Sequence, residues 1–172
     1  MTSETPDLPE TPPSLIEQLH AYWLGLAGGA TPERAQFDPG AVKPLLPYIC
    51  IVDFEDQPFR VRYRLSGSKV DEMNGFNLTG RYLDDIVRAD PTGGGQHILD
   101  HYRKCWETGQ PSFSSYLWPT KAGDQLGVRF AMFPLKLNGR VRQCIGIEDW
   151  EETFDPIVET IVPFSEKGGE GQ

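Results

Sequence analysis

The spacing of apolar positions changes along the chain, and each change marks an element. From Leu15 the apolar residues fall at helical spacing: Leu15, Ile16, Leu19, Tyr22, Trp23 and Leu26. Ser14 stands at the N-cap position, and Glu17 three residues on completes a capping box. Gly28 and Gly29 stop the helix. Residues 30–47 contain Pro32, Pro39, Pro44 and Pro47, which break any periodicity, so an irregular segment is expected. Tyr48–Phe54 reads as a strand and Glu55–Pro58 as a turn. Val61, Tyr63 and Leu65 then alternate with Arg60, Arg62 and Arg64. This pattern predicts a strand with one apolar face and one row of guanidinium groups. The two strands read as an antiparallel hairpin.

Beyond Gly67 a short helix through Val70 and Met73 is expected to end near Gly75. Asn77–Gly80 is a turn, and Arg81–Val87 a second short helix. A longer helix should follow the glycines at 93–95, carrying Ile98, Leu99, Tyr102, Cys105 and Trp106, and stop at Gly109 and Pro111. Three strands complete the pattern: Ser112–Trp118, Leu126–Leu137 and Arg140–Trp150. Asn138-Gly139 is a hairpin signal between the last two. The expected fold is α+β, with a five-stranded antiparallel sheet, helices grouped between strands two and three, and an N-terminal amphipathic helix.

Composition narrows the function classes. With 172 residues the chain has room for one domain. Hydrophobic residues make up 38%, enough for a real core. Residues 1–13 are rich in Pro, Thr and Glu and are expected to be disordered. Residues 14–150 form the expected domain, and 151–172 an acidic, Gly-rich tail. The net charge of −9 disfavours nucleic acid and anionic membranes as partners. No apolar run approaches the roughly 20 residues of a membrane span. No signal peptide is visible in the polar N-terminus, so a cytoplasmic protein is expected. The three cysteines, Cys50, Cys105 and Cys144, form no CxxC pair and sit among apolar neighbours, as buried free thiols do.

The element order is that of a PAS domain, and particular residues sharpen the likeness. Phe37-Asp-Pro39, Leu45-Leu-Pro47 leading into a strand, Phe59-Arg-Val-Arg-Tyr-Arg-Leu-Ser-Gly67 and Leu78-Thr-Gly-Arg81 occur in that order. Pro134-Leu135 before the Asn-Gly hairpin adds to them. Residues 14–150 therefore resemble the small single-PAS-domain proteins of proteobacteria. The resemblance implies the PAS fold. It supplies no ligand, because this fold hosts many ligands and partners.

Candidate chemistry is sparse. His97 and His101 share one helix face. In haem-binding PAS domains a histidine from a helix in this region holds the iron, so the resemblance raises a haem or metal ligand here. Against it, the pair lies off the stripe Ile98–Tyr102–Cys105, and no Cys or carboxylate cluster stands at ligand spacing. Two surface histidines are expected and no metal is assigned. Flavin photochemistry needs an Asn-Cys-Arg motif, which is absent. Arg60, Arg62 and Arg64 read as a solvated strand face offset by nearby acids. Asp84 and Asp85 read as a solvated helix start. Arg81 either reaches a ligand pocket or holds its loop. Tyr63, Met73, Arg81, Phe113, Phe130 and Met132 are the expected ligand-binding residues. No catalytic residue or cofactor is assigned.

The leading expectation is a PAS-type sensory or adaptor module that binds a small, partly apolar ligand or a protein partner. No kinase, cyclase or DNA-binding segment is visible, so it is expected to signal through another protein. A homodimer is expected, with Tyr22, Trp23 and Leu26 near the contact. One rival is a small cone-shaped isomerase or dehydratase, which needs a His–Asp dyad in its pocket. Another is a structural interaction domain with a filled core.

Overall fold

The computed structural model describes residues 13–89, 93–119 and 125–150. Five strands form one antiparallel sheet in the order β2-β1-β5-β4-β3. They are β1 Ile49–Glu55, β2 Arg60–Ser66, β3 Ser112–Pro119, β4 Gln125–Leu137 and β5 Arg140–Trp150. The helices α2 Ser68–Asn74, α3 Leu83–Ala89 and α4 Gly94–Thr108 lie between β2 and β3 in sequence. The α+β expectation holds, as does the grouping of helices between strands two and three. The expected tails lie outside the described residues, apart from Pro13.

The first helix, α1 (Leu15–Leu26), begins on the expected capping box: the Glu17 amide donates to Ser14 Oγ, and the Ser14 amide donates to Glu17 Oε2. Its buried stripe is Leu19 and Trp23, and both pack on the outer face of the chain's own sheet. The Trp23 indole donates to the Pro134 carbonyl at 2.9 Å. Trp23 is 1% exposed, so it is not available to a dimer partner, contrary to expectation.

Residues 30–47 are more regular than their prolines suggest. They form a 3₁₀ turn at Arg34–Gln36 and a kinked 3₁₀ stretch at Pro39–Tyr48. Proline serves as a helix-starting residue here, with Asp38 capping the Gly40 amide. This segment brings Phe37, Val42 and Leu45 under α1.

The sheet is buried on both faces. Cys50, Val52, Phe54, Val128, Phe130, Met132 and Cys144 point to α2–α4. Ile49, Ile51, Ala131, Phe133, Leu135, Ile145 and Ile147 point to α1 and the 3₁₀ stretch. Double burial is why β1 and the middle of β4 read as apolar runs and not as alternation.

The guanidinium face of β2 is as expected, but its apolar face is interrupted. The pairing slips between Ile51 and Val52, which face Leu65 and Tyr63, leaving Arg64 as a bulge. The slip turns Leu65 to the outer face, where it is half exposed. Arg60 pairs with Asp84 at 2.9 Å and lies over the Tyr82 ring, and Arg64 pairs with Asp53 at 3.4 Å.

The motif Arg60–Gly67 ends in a close approach. A Cβ on Gly67 would collide with the carbonyl oxygens of Leu46 and Pro47, so the Leu-Leu-Pro and Leu-Ser-Gly segments meet here. Asp71 then accepts from the Ser66 hydroxyl and the Leu78 amide. The Gly80 amide donates to the Tyr63 carbonyl, and the Tyr63 amide to the Arg81 carbonyl. The Leu78–Arg81 turn is thus stitched to β2. Among the described residues, no helix is long and apolar enough to cross a membrane.

Candidate ligand site

Between the concave face of the sheet and helices α2 and α4 lies a small enclosed cavity. Apolar walls come from Val70, Leu78, Ile98, Phe130 and Met132. Polar groups come from Tyr63 on β2, Asn74 on α2, Tyr102 on α4 and Glu148 on β5. Tyr102 enters because β5 carries no side chain at Gly146: the phenol hydroxyl occupies the place a Cβ would take. The cavity volume is about 20 Å³. That is room for one water-sized group, since roughly 10–15 Å³ suffices for a water.

Glu148 is the one carboxylate of this wall. Its Oε1 accepts from the Tyr116 hydroxyl at 3.0 Å, while Oε2 is withdrawn from solvent with no hydrogen-bond partner. Desolvation pushes its carboxyl up to about 7, and the Tyr116 hydrogen bond works against that rise. Burial, and after it the charges of Glu148 and other neighbours, raises the phenols of Tyr63, Tyr102 and Tyr116 well above their ordinary value. Asn74 is buried as well. Its Nδ2 donates to the Val70 carbonyl at 2.8 Å, which fixes the amide's orientation and leaves Oδ1 without a partner.

The fold is that of a known class, and the sequence comparison decides which. A family model described as "PAS domain" matches residues 11–147. The chain belongs to the PAS domain family. A search of curated proteins returned no match. Among solved structures, the PAS fold is shared with the Vibrio cholerae VqmA dimer at 18% identity and a TM-score of 0.51, over 66% of this chain and 51% of that one. A structure of VqmA bound to DPO gives 18% identity and a TM-score of 0.50, over 66% of this chain and 56% of that one. A light-oxygen-voltage domain studied with a flavin analogue gives 15% and 0.49, over 66% and 84%. This PAS chain thus spans about half the length of the VqmA chains.

A flavin or haem does not fit this PAS cavity as described. Its volume admits one small group, and among its described lining residues there is no histidine and no thiol but Cys50. His97 and His101, expected at the surface, are half-buried. They turn toward the sheet, edge-on to Phe130, and their rings engage the hydroxyls of Ser114 and Ser112. Burial first, and then His97, lowers the His101 pKa. Among the described residues, no cluster of three or more potential ligands could hold a metal.

Of the six expected ligand residues, Tyr63, Phe130 and Met132 line the PAS cavity. Met73 is buried in the same core without reaching the lining. Arg81 is exposed, its guanidinium over the Phe76 ring at 4.5 Å, and its backbone carbonyl accepts from the Tyr63 amide. Phe113 is on the opposite face of the sheet, 48% exposed and against His20 and Phe133. The inward positions of β3 are Ser112, Ser114 and Tyr116, since the histidines of α4 cover that face with polar groups. Glu148, Asn74, Tyr102 and Tyr116 were missed. A signal for Glu148 existed: it shares the strand parity of Cys144 and Gly146, an unusual place for a carboxylate.

Proposed function

We propose that this PAS domain is a sensory or adaptor module. It takes a small, partly apolar ligand at the concave face of its sheet and passes occupancy to another protein. The observation that carries this reading is the pair of buried acceptors, Glu148 Oε2 and Asn74 Oδ1, set in a largely apolar wall and with no donor for either among the described residues. Buried polar atoms without partners are uncommon and costly, and a few polar groups among apolar walls are what a small-molecule site needs. A ligand larger than one water-sized group requires α2 or α4 to yield, which couples binding to movement of the helices. A catalytic role is not proposed, because neither His nor Asp is among the described lining residues, and a dehydratase-like pocket needs both.

Native mass spectrometry of freshly purified protein, beside a denatured sample, tests this. The expected result is an added mass that disappears on denaturation. Bare polypeptide mass supports the second reading, an interaction domain with a filled core, which the volume of about 20 Å³ favours.

A cytoplasmic homodimer is part of the proposal, with its contact moved from Trp23. Exposed apolar residues on this side are Leu24 on α1, one turn beyond His20, and Phe113, which packs on His20; Leu117 lies further along the same edge strand β3. An edge strand offers unpaired backbone groups together with these side chains. Leu117→Asp is expected to convert a dimer to a monomer in size-exclusion chromatography with light scattering, with no loss of fold. A dimer that survives the change rules out this face.

A further inference from the structure

We propose that the ligand of this cavity is a small alkylamine, its ammonium group seated between Glu148 and Asn74. The inference rests on the ligand-binding reading above and adds the chemical class.

The wall is selective in what it offers. Among the described residues, neither Glu148 Oε2 nor Asn74 Oδ1 meets a donor. Asn74 cannot turn its amide to become a donor without losing its bond to the Val70 carbonyl. The hydroxyls of Tyr63 and Tyr102 also line the cavity, and each can accept a hydrogen bond from a ligand as well as donate one. An ammonium group has three donors and no acceptor, which complements this set. A carboxylate or phosphate head would meet Glu148 as a like charge. An alcohol brings only one donor for two orphaned acceptors.

Charge points the same way. Among the described residues, the titratable groups that feel the charge of Glu148 are Cys50 from β1, Tyr63 from β2, Tyr102 from α4 and Tyr116 from β3, and none is cationic at neutral pH. No Lys, Arg or His is among the described lining residues. A buried carboxylate without a counter-ion is costly, and a cationic ligand supplies the counter-ion. The aromatic rings of Tyr63, Tyr102 and Phe130 add faces on which a cation is favoured. The room available, about 20 Å³, matches an ammonium head. The alkyl body requires α2 or α4 to yield, and Ile98, Leu78 and the flexible Met132 are the apolar walls it then meets.

Because the ammonium needs an ionised partner, binding should strengthen as pH rises through neutrality. The experiment is calorimetric titration of the full chain with primary alkylamines from methylamine to hexylamine, beside the matched alcohols and carboxylates, at pH 8 and pH 5.5. At least one amine is expected to bind at pH 8 and to weaken about tenfold or more both at pH 5.5 and in Glu148→Gln. Thermal melts show that the variant is folded. Alcohols that bind as well as the amines, unaffected by Glu148→Gln, overturn the amine assignment while the ligand-binding reading stands. No binding by any amine overturns the assignment. If native mass spectrometry also gives bare polypeptide, the ligand-binding reading falls with it.

Discussion

Raising the pH from 5 to 8 is expected to cost the native domain about 2–3 kcal/mol through Glu148 alone, and Glu148→Gln is expected to remove that loss. The folded-state pKa is raised to about 7, mainly by desolvation. In the unfolded chain a Glu titrates near about 4.3. Between these values the folded state holds the proton and the unfolded state has lost it. The unfolded chain then binds fewer protons, so stability falls as pH rises. The penalty is absent below about pH 4 and complete above about pH 7.5. The full shift would give somewhat more, because part of the loss already falls below about pH 5. His101 acts in the opposite sense, because its lowered pKa makes the folded state gain stability as pH rises through the histidine range. The difference between the parent chain and Glu148→Gln isolates the carboxyl. Urea denaturation at pH 5, 6, 7 and 8 measures it. Parallel pH profiles for the two proteins would show that Glu148 is well solvated and that the polar wall carries no electrostatic tension.

What could be read from residue order follows a physical divide. Signals confined to a few neighbouring residues were legible. The Ser14–Glu17 cap, the glycine stops after α1, α2 and α4, and the Asn138-Gly139 turn each depend on local backbone chemistry, and the structure places each of them as expected. The order of elements followed, and the order led to the fold. Which way a strand faces was less legible. Polar-out alternation identifies a face only when one side of a sheet meets water. Here both faces of β1, β4 and β5 are covered, and on β3 the usual rule is inverted: Phe113 and Leu117 face outward while Ser112 and Ser114 face the helix. The bulge at Arg64 is equally invisible, because it depends on how β2 registers with β1. The cavity suffers most from this. Its polar wall draws one residue each from β2, α2, α4 and β5, and only Tyr63 among them was expected.

Trp23→Ala is expected to cost about 4 kcal/mol, a large fraction of the roughly 5–15 kcal/mol that holds a domain of this size together. Three contributions add. The indole is 1% exposed, so its removal gives up nearly all of its burial. It packs on Phe133 at 6.1 Å between centroids, and the residues around it are held by the sheet and cannot close the gap fully. Its Nε1–H is also the donor to the Pro134 carbonyl, and an acceptor buried between α1 and β4 loses its partner. Leu24, the adjacent residue, is 42% exposed, and Leu24→Ala is expected to change stability by less than about 0.5 kcal/mol. Urea unfolding of both variants over a range of protein concentrations decides between two roles for the helix. A large loss at Trp23 that does not vary with protein concentration means that α1 is a structural part of the monomer, lining the second face of its sheet. A loss that grows on dilution means that the indole stabilises an assembly, and the dimer contact returns to the N-terminal helix.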